Sequence, residues 1–142
     1  MRKYGCATVV VLLAAGAAAG CGGEEALTKS EFLKQGNAIC AKGGKQIDAA
    51  AEKTFSKGEP SKKEITKFAE EDAIPNIDKQ VSDLRELEPP KDDKDKVKKI
   101  LDSADDALKK VKDDPAIFAA GKDPFADTNK LALDYGLKRC AE

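Results

Sequence analysis

LTKSEF, residues 27–32, is the stretch of this 142-residue chain that first commits to a structure. Thr28 and Glu31 stand at the spacing of a capping box, in which an N-cap hydroxyl accepts from the N–H three residues on and the acid reaches back to the N-cap N–H. Leu27 and Phe32 flank the box as a hydrophobic staple, so a helix begins at Lys29. Phe32, Leu33, Ile39, Cys40, Ile47, Ala50, Ala51 and Phe55 keep helical spacing until Gly58-Glu59-Pro60 ends the run, a first helix of about 29 residues. Gly36, Gly43 and Gly44 weaken it by roughly 1 kcal/mol each relative to Ala. Their bare backbone offers a neighbouring helix a close approach.

The same grammar recurs downstream. Ser61 and Glu64 form a second capping box, opening a helix that buries Ile65, Phe68, Ala69, Ile77, Val81, Leu84 and Leu87 and stops at Pro89-Pro90. Pro75 lies inside that pattern and removes one backbone hydrogen bond, which predicts a kink near Ala73 or Ile74. A third helix of about 20 residues carries Val97, Ile100, Leu101, Ala104, Ala107, Leu108 and Val111 and ends before Asp114-Pro115. Residues 115–126 read as a loop or short turn, and a last helix runs from about Asp127 to Cys140, with Leu131, Leu133, Tyr135, Leu137 and Cys140 as contacts. Four helices with short connections predict an all-α fold, an up-down-up-down four-helix bundle with a kinked second helix over residues 28–142.

Composition fits that palette. With five Phe, two Tyr and no Trp, the core is left to Ala, Leu, Ile and Val. There is no His, which removes Ser-His and Cys-His nucleophile pairs, His-ligated zinc and the histidine proton shuttle; the only Met is Met1, so a Met haem ligand is excluded too. Glu70-Glu71-Asp72 and Asp105-Asp106 alternate with Lys as an exposed face rather than a catalytic carboxylate pair. Asp92, Asp93 and Asp95 do not make an EF-hand, since the run from Lys91 has Lys96 where the loop needs Gly and Asp102 where it needs Glu; the segment reads as a solvated linker and helix start. The expectation is no catalytic residue, no cofactor and no metal. Tyr135 and the Phe residues read as core packing, with a ligand cavity between helices two and four near Pro75 as the alternative.

The first 20 residues belong to a different class. Arg2 and Lys3 precede 13 uncharged, mostly apolar residues, Ala7 to Ala19. That is the length of a signal-peptide core and short of the ~20 residues needed to span a bilayer. Of the 25 basic residues these two lie in the leader, which leaves 23 against 26 acidic residues, a formal −3 that gives no reason to expect nucleic acid as a partner. Two cleavages compete. Ala17-Ala18-Ala19 suits an ordinary signal peptidase, releasing a soluble protein at Gly20. Ala18-Ala19-Gly20-Cys21 resembles the lipobox of bacterial lipoproteins, with Ala18 where Leu is usual, and the Gly22-Gly23-Glu24-Glu25 tether, part of a flexible stretch over residues 21–27, suits a membrane-anchored start.

Cysteine arithmetic bears on that choice. Cys6 leaves with the leader; if Cys21 takes the lipid, Cys40 and Cys140 remain as a pair in an exported protein, whereas cleavage after Ala19 leaves three thiols. A Cys40–Cys140 bond closes a loop of 100 residues, worth about 4.7 kcal/mol in the chain-entropy account. Helix lengths agree with it, because a fourth helix of about 14 residues descends to the level of residue 40. Two free buried thiols are the other reading.

TKSEFLKQGNAIC (28–40), IPNIDKQVSDLRELEPP (74–90) and YGLKRC (135–140) together resemble a group of small predicted lipoproteins from actinobacteria. The resemblance implies export, a Cys40 and Cys140 pair and a helical fold, and no activity. The reading is therefore a lipid-anchored, non-enzymatic helical module on the extracytoplasmic face of a cell membrane, held there by its N-terminal lipid and presenting a surface to an envelope protein; a small-ligand carrier is the alternative. Replacing Cys21 by Ala should abolish incorporation of labelled palmitate and release the protein from membranes, and persistent labelling would remove the anchor.

Overall fold

The computed structural model describes residues 26–56 and 58–142. The leader of residues 1–20, both candidate cleavage positions, Cys6, Cys21 and most of the tether lie outside the described residues. Those described are all-helical, with no strand among them: α1 (Lys29–Thr54), α2 (Lys62–Phe68), α3 (Ile74–Arg85), α4 (Lys94–Asp113), α5 (Ala116–Ala119) and α6 (Ala126–Tyr135). A π-helical turn (Ala69–Ala73) joins α2 to α3, so four long helical segments make up the fold. Short 3-10 turns precede α4 (Lys91–Asp93) and close the chain (Lys138–Ala141).

Both capping boxes form. The Thr28 hydroxyl accepts from the Glu31 N–H at 3.3 Å while Glu31 accepts from the Thr28 N–H at 2.9 Å, and Ser61 and Glu64 repeat the exchange at 3.3 and 2.8 Å. Pro75 has no N–H to offer the carbonyl four residues back and its ring would collide with it. The chain meets this by widening the preceding turn: the Ile74 N–H donates to the Ala69 carbonyl five residues back, and Pro75 enters at the start of α3. The break expected at Ala73 or Ile74 thus takes the form of a π-turn.

Two helix ends differ from expectation. α1 stops at Thr54, capped by Phe55, a turn short of Gly58. More consequentially, the last helix does not reach Cys140. Gly136 adopts φ 111° and ends it at Tyr135, with the Gly136 and Leu137 N–H groups both donating to the Ala132 carbonyl, at 3.0 and 2.8 Å. That left-handed cap turns the chain back, as a glycine permits at low cost. Leu133 is correspondingly misread as a contact: the inward face of α6 is Thr128, Leu131, Ala132 and Tyr135, spaced by three and four, and Leu133 is 51% exposed.

The core runs along α1, α3, α4 and α6. α4 buries Val97, Ile100, Leu101, Ala104, Ala107, Leu108 and Val111, the whole face read from the sequence. α1 buries Phe32, Gly36, Cys40 and Gly43. α1 packs on α3, α3 on α4, α4 on α6, and the closing 3-10 turn returns to α1. Gly36 explains that return: a Cβ there would lie 2.6 Å from Leu137 Cδ2 and 3.2 Å from Leu84 Cδ2. Gly43 would collide with the Gln80 side chain, whereas a Cβ on Gly44 meets nothing within 4 Å. Close approach therefore accounts for Gly36 and Gly43 but not for Gly44.

Gly36→Ala forces Leu137, which is 2% exposed, out of its seat. It should lower stability by about 1–3 kcal/mol despite the better helix former. Gly44→Ala should raise it by about 0.5–1 kcal/mol. Thermal unfolding of the two variants should shift in opposite directions; equal shifts would remove the packing argument for Gly36.

Candidate binding cavity

Cys40 and Cys140 are joined by a disulfide with their Cα atoms 4.9 Å apart. The pairing matches the expectation, by a different route: Cys140 arrives on the turn after Gly136, not on a straight descending helix. Asn37 secures the same turn from α1. Its carboxamide donates to the Gly136 carbonyl at 3.1 Å and accepts from the Arg139 N–H at 2.8 Å, satisfying backbone groups that the end of α6 leaves open.

Above this closure lies a cavity of about 520 Å³. Ile47, Phe55, Ile65, Phe68, Phe118 and Phe125 supply large side chains to its wall. Ala69, Ala73, Ala104 and Ala132, buried to between 1% and 7% exposure, supply small ones, and Gly44 none. Where a helix interior would ordinarily place Leu, these positions leave space. Four of the five Phe border the cavity, in the pairs Phe55–Phe68 (centroids 5.1 Å) and Phe118–Phe125 (6.5 Å), of which Phe118 and Phe125 also pack against the core. Only Phe32 is fully buried among helices, edge-on to Tyr135 at 6.0 Å.

Polar groups on the wall are few. Thr128 is buried with its hydroxyl 2.8 Å from that of Ser103. Gln80, lying over Gly43, donates to Asn76 Oδ1 at 2.8 Å. The Asn129 carboxamide is half-buried on α6 and has no hydrogen-bond partner among the described residues. Asp123, Arg139 and Glu142 are exposed members of the lining and mark where the cavity meets solvent; Arg139 is paired to Glu142 at 2.6 Å.

The other end of the fold is closed by charge. Asp93, read as part of a solvated linker, is 7% exposed instead. Its carboxylate accepts from Lys96 Nζ at 2.6 Å and from the Tyr135 hydroxyl at 3.2 Å, with Lys29 Nζ 3.6 Å away. Lys29 also lies 4.7 Å from the centre of the Tyr135 ring. The Lys96 hydrogen bond holds the Asp93 carboxyl below its usual range against the opposing effect of burial, with Lys29 assisting. Burial, reinforced by the Asp93 charge, pushes the Tyr135 hydroxyl up to about 12. Periodicity could not show Asp93, since nothing in KDDKDKVKK separates one Asp from its neighbours.

Among the described residues no cluster of three or more His, Cys, Asp or Glu side chains is placed to hold a metal ion, and no helix is long and apolar enough to cross a membrane. Compared with known proteins, the chain matches no family model, no curated protein and no solved structure.

The lock has a defined pH dependence. Asp93 has a lower pKa folded than unfolded, so its contribution is present above the ordinary carboxylate range and is lost as pH falls through the folded value. Tyr135 has a raised one, so its contribution is present below pH 10 and is lost as pH rises through about 12. The tyrosinate absorbance missing from Tyr135→Phe should appear only near pH 12 in the parent, and Asp93→Asn should bring it down. A parent midpoint at the ordinary value of 10 would contradict the lock.

Proposed function

We propose that this chain is a non-enzymatic carrier of a small apolar molecule, tethered by a lipid on Cys21 to the extracytoplasmic face of a cell membrane. The single observation that carries the reading is the cavity of about 520 Å³ among its helices. Binding sites for small molecules are typically about 300–1,000 Å³ and largely apolar with a few placed polar groups, and an apolar hole of about 150 Å³ already takes benzene. The wall, with its four Phe and few polar side chains, has that character.

The companion reading, a surface for an envelope protein, has less behind it. Such surfaces are rich in exposed large apolar side chains, and among the described residues Leu133 is the one such side chain exposed. We read the topology as an up-down-up-down four-helix bundle, supported by the sequential packing of α1 on α3, α3 on α4 and α4 on α6. The leader over residues 1–20, the tether over 21–27 and the likeness to small actinobacterial lipoproteins belong to the same proposal. Its mechanism is capture and retention near a membrane: two acyl chains hold the module firmly where one binds reversibly, and the cavity withdraws its ligand from water.

Diphenylhexatriene, an uncharged rod that fluoresces in apolar surroundings, is a direct probe. It should bind saturably with one site per chain. Gly44→Leu should project into the cavity and weaken that binding at least tenfold without lowering the unfolding temperature, because a Cβ at Gly44 has free space around it. Failure of the probe to bind the parent would overturn the carrier reading.

A further inference from the structure

Shape and charge of the cavity narrow its ligand further, an inference that rests on the carrier reading. The lining on α1 and its cap extends from Cys40 to Phe55. At 1.5 Å per residue this is roughly 22 Å along the helix axis. A lining that long along one helix suits an elongated molecule better than a compact one.

Charge points to what such a molecule has at its end. An ion moved into an apolar site is strongly disfavoured unless it is paired. Arg139, the only cation in the lining among the described residues, is already engaged by Glu142, and Asp123 adds a second carboxylate whose Oδ1 accepts from the Phe125 N–H at 2.9 Å. An anionic head therefore meets two acids and one neutralised base. For an uncharged head the wall has suitable partners: the Asn129 carboxamide offers a donor and an acceptor with no partner among the described residues, and Gln80 keeps its carbonyl oxygen after giving its N–H to Asn76. The buried Thr128 hydroxyl is already paired with Ser103, which leaves Asn129 as the group on α6 to meet the head.

We infer that the cavity takes a single-chain apolar molecule with an uncharged hydrogen-bonding head, an alcohol, ester or amide, and selects it over the carboxylate of equal length through Asn129 and the acidic mouth. The asymmetry follows from physical terms already present: the chain supplies affinity by leaving water, and the head supplies discrimination because a charge left unpaired costs far more than a hydroxyl that finds a carboxamide.

The experiment is displacement of diphenylhexatriene from the parent protein by two probes of equal chain length, dodecanol and dodecanoate, each below the concentration at which it self-associates. Dodecanol should displace the dye at a concentration at least tenfold lower than dodecanoate. Asn129→Leu should weaken dodecanol about fivefold relative to the dye, which has no hydrogen-bonding group, the worth of one hydrogen bond of about 1 kcal/mol. Dodecanoate matching dodecanol overturns the inference, as does an Asn129→Leu variant in which the ratio of dodecanol to dye affinity stays as in the parent. A dye that binds with no dodecanol displacement also overturns it. A dye that never binds strikes the carrier reading beneath it instead, so the two failures are distinguishable.

Discussion

Leu137 reaches Gly36 because there is no side chain on that residue to stop it, and the rest of the domain is arranged around that contact. A leucine fully withdrawn from water contributes about 1.5–3 kcal/mol, yet its larger effect is positional. With Leu137 seated and Gly136 turned into the left-handed region, the chain cannot continue as helix, and Cys140 comes to lie beside Cys40. Asn37 then bonds the backbone on both sides of the seat. The disulfide thus fixes a junction that packing already specifies. The same turn is also a wall of the cavity, since Leu137, Arg139, Cys140 and Glu142 all line it.

The two ends of the fold solve opposite problems. At the start of α1, Asp93, Tyr135, Lys96 and Lys29 draw together a 3-10 turn and three helices, and Leu27 donates its N–H to the Glu88 carbonyl at 3.2 Å where the chain enters the domain. Every polar group buried there has a partner, which is what makes a low-dielectric cluster stabilising. Toward the far end of α1 the same helices carry Ala, Gly and half-buried Phe, and the packing opens into a cavity. The two ends of α1 therefore differ in kind, paired charge and close packing at its start and open space toward its end.

Much of this was legible in the residues. The capping boxes at Thr28 and Ser61, the seven-residue face of α4 and the irregularity ahead of Pro75 all follow from local rules that the tertiary structure respects, while the Cys40–Cys140 pair came from counting thiols and helix turns. What misled was inference from totals and from neighbours in sequence. The shortage of large apolar residues pointed to Phe as core packing, which Phe32, Phe118 and Phe125 provide, but did not show that four of the five also border an open space. Likewise counting down a straight helix to the right level for Cys140 left the stop at Gly136 unread. Asp93 lay beyond any periodic signal, because its burial depends on Tyr135, 42 residues away.

The disulfide has a consequence that concerns damage rather than folding. It joins residues 100 apart in a described chain that ends two residues later, so nearly the whole domain is one covalent circle. A protease that cuts the surface segment after α1, the Pro89-Pro90 corner or the stretch around Gly121 opens the circle without dividing the molecule. Both pieces stay attached through sulfur, and the helices on either side of the cut keep each other's company. Wherever proteases are common and replacement is slow, such a domain survives a single nick as one body.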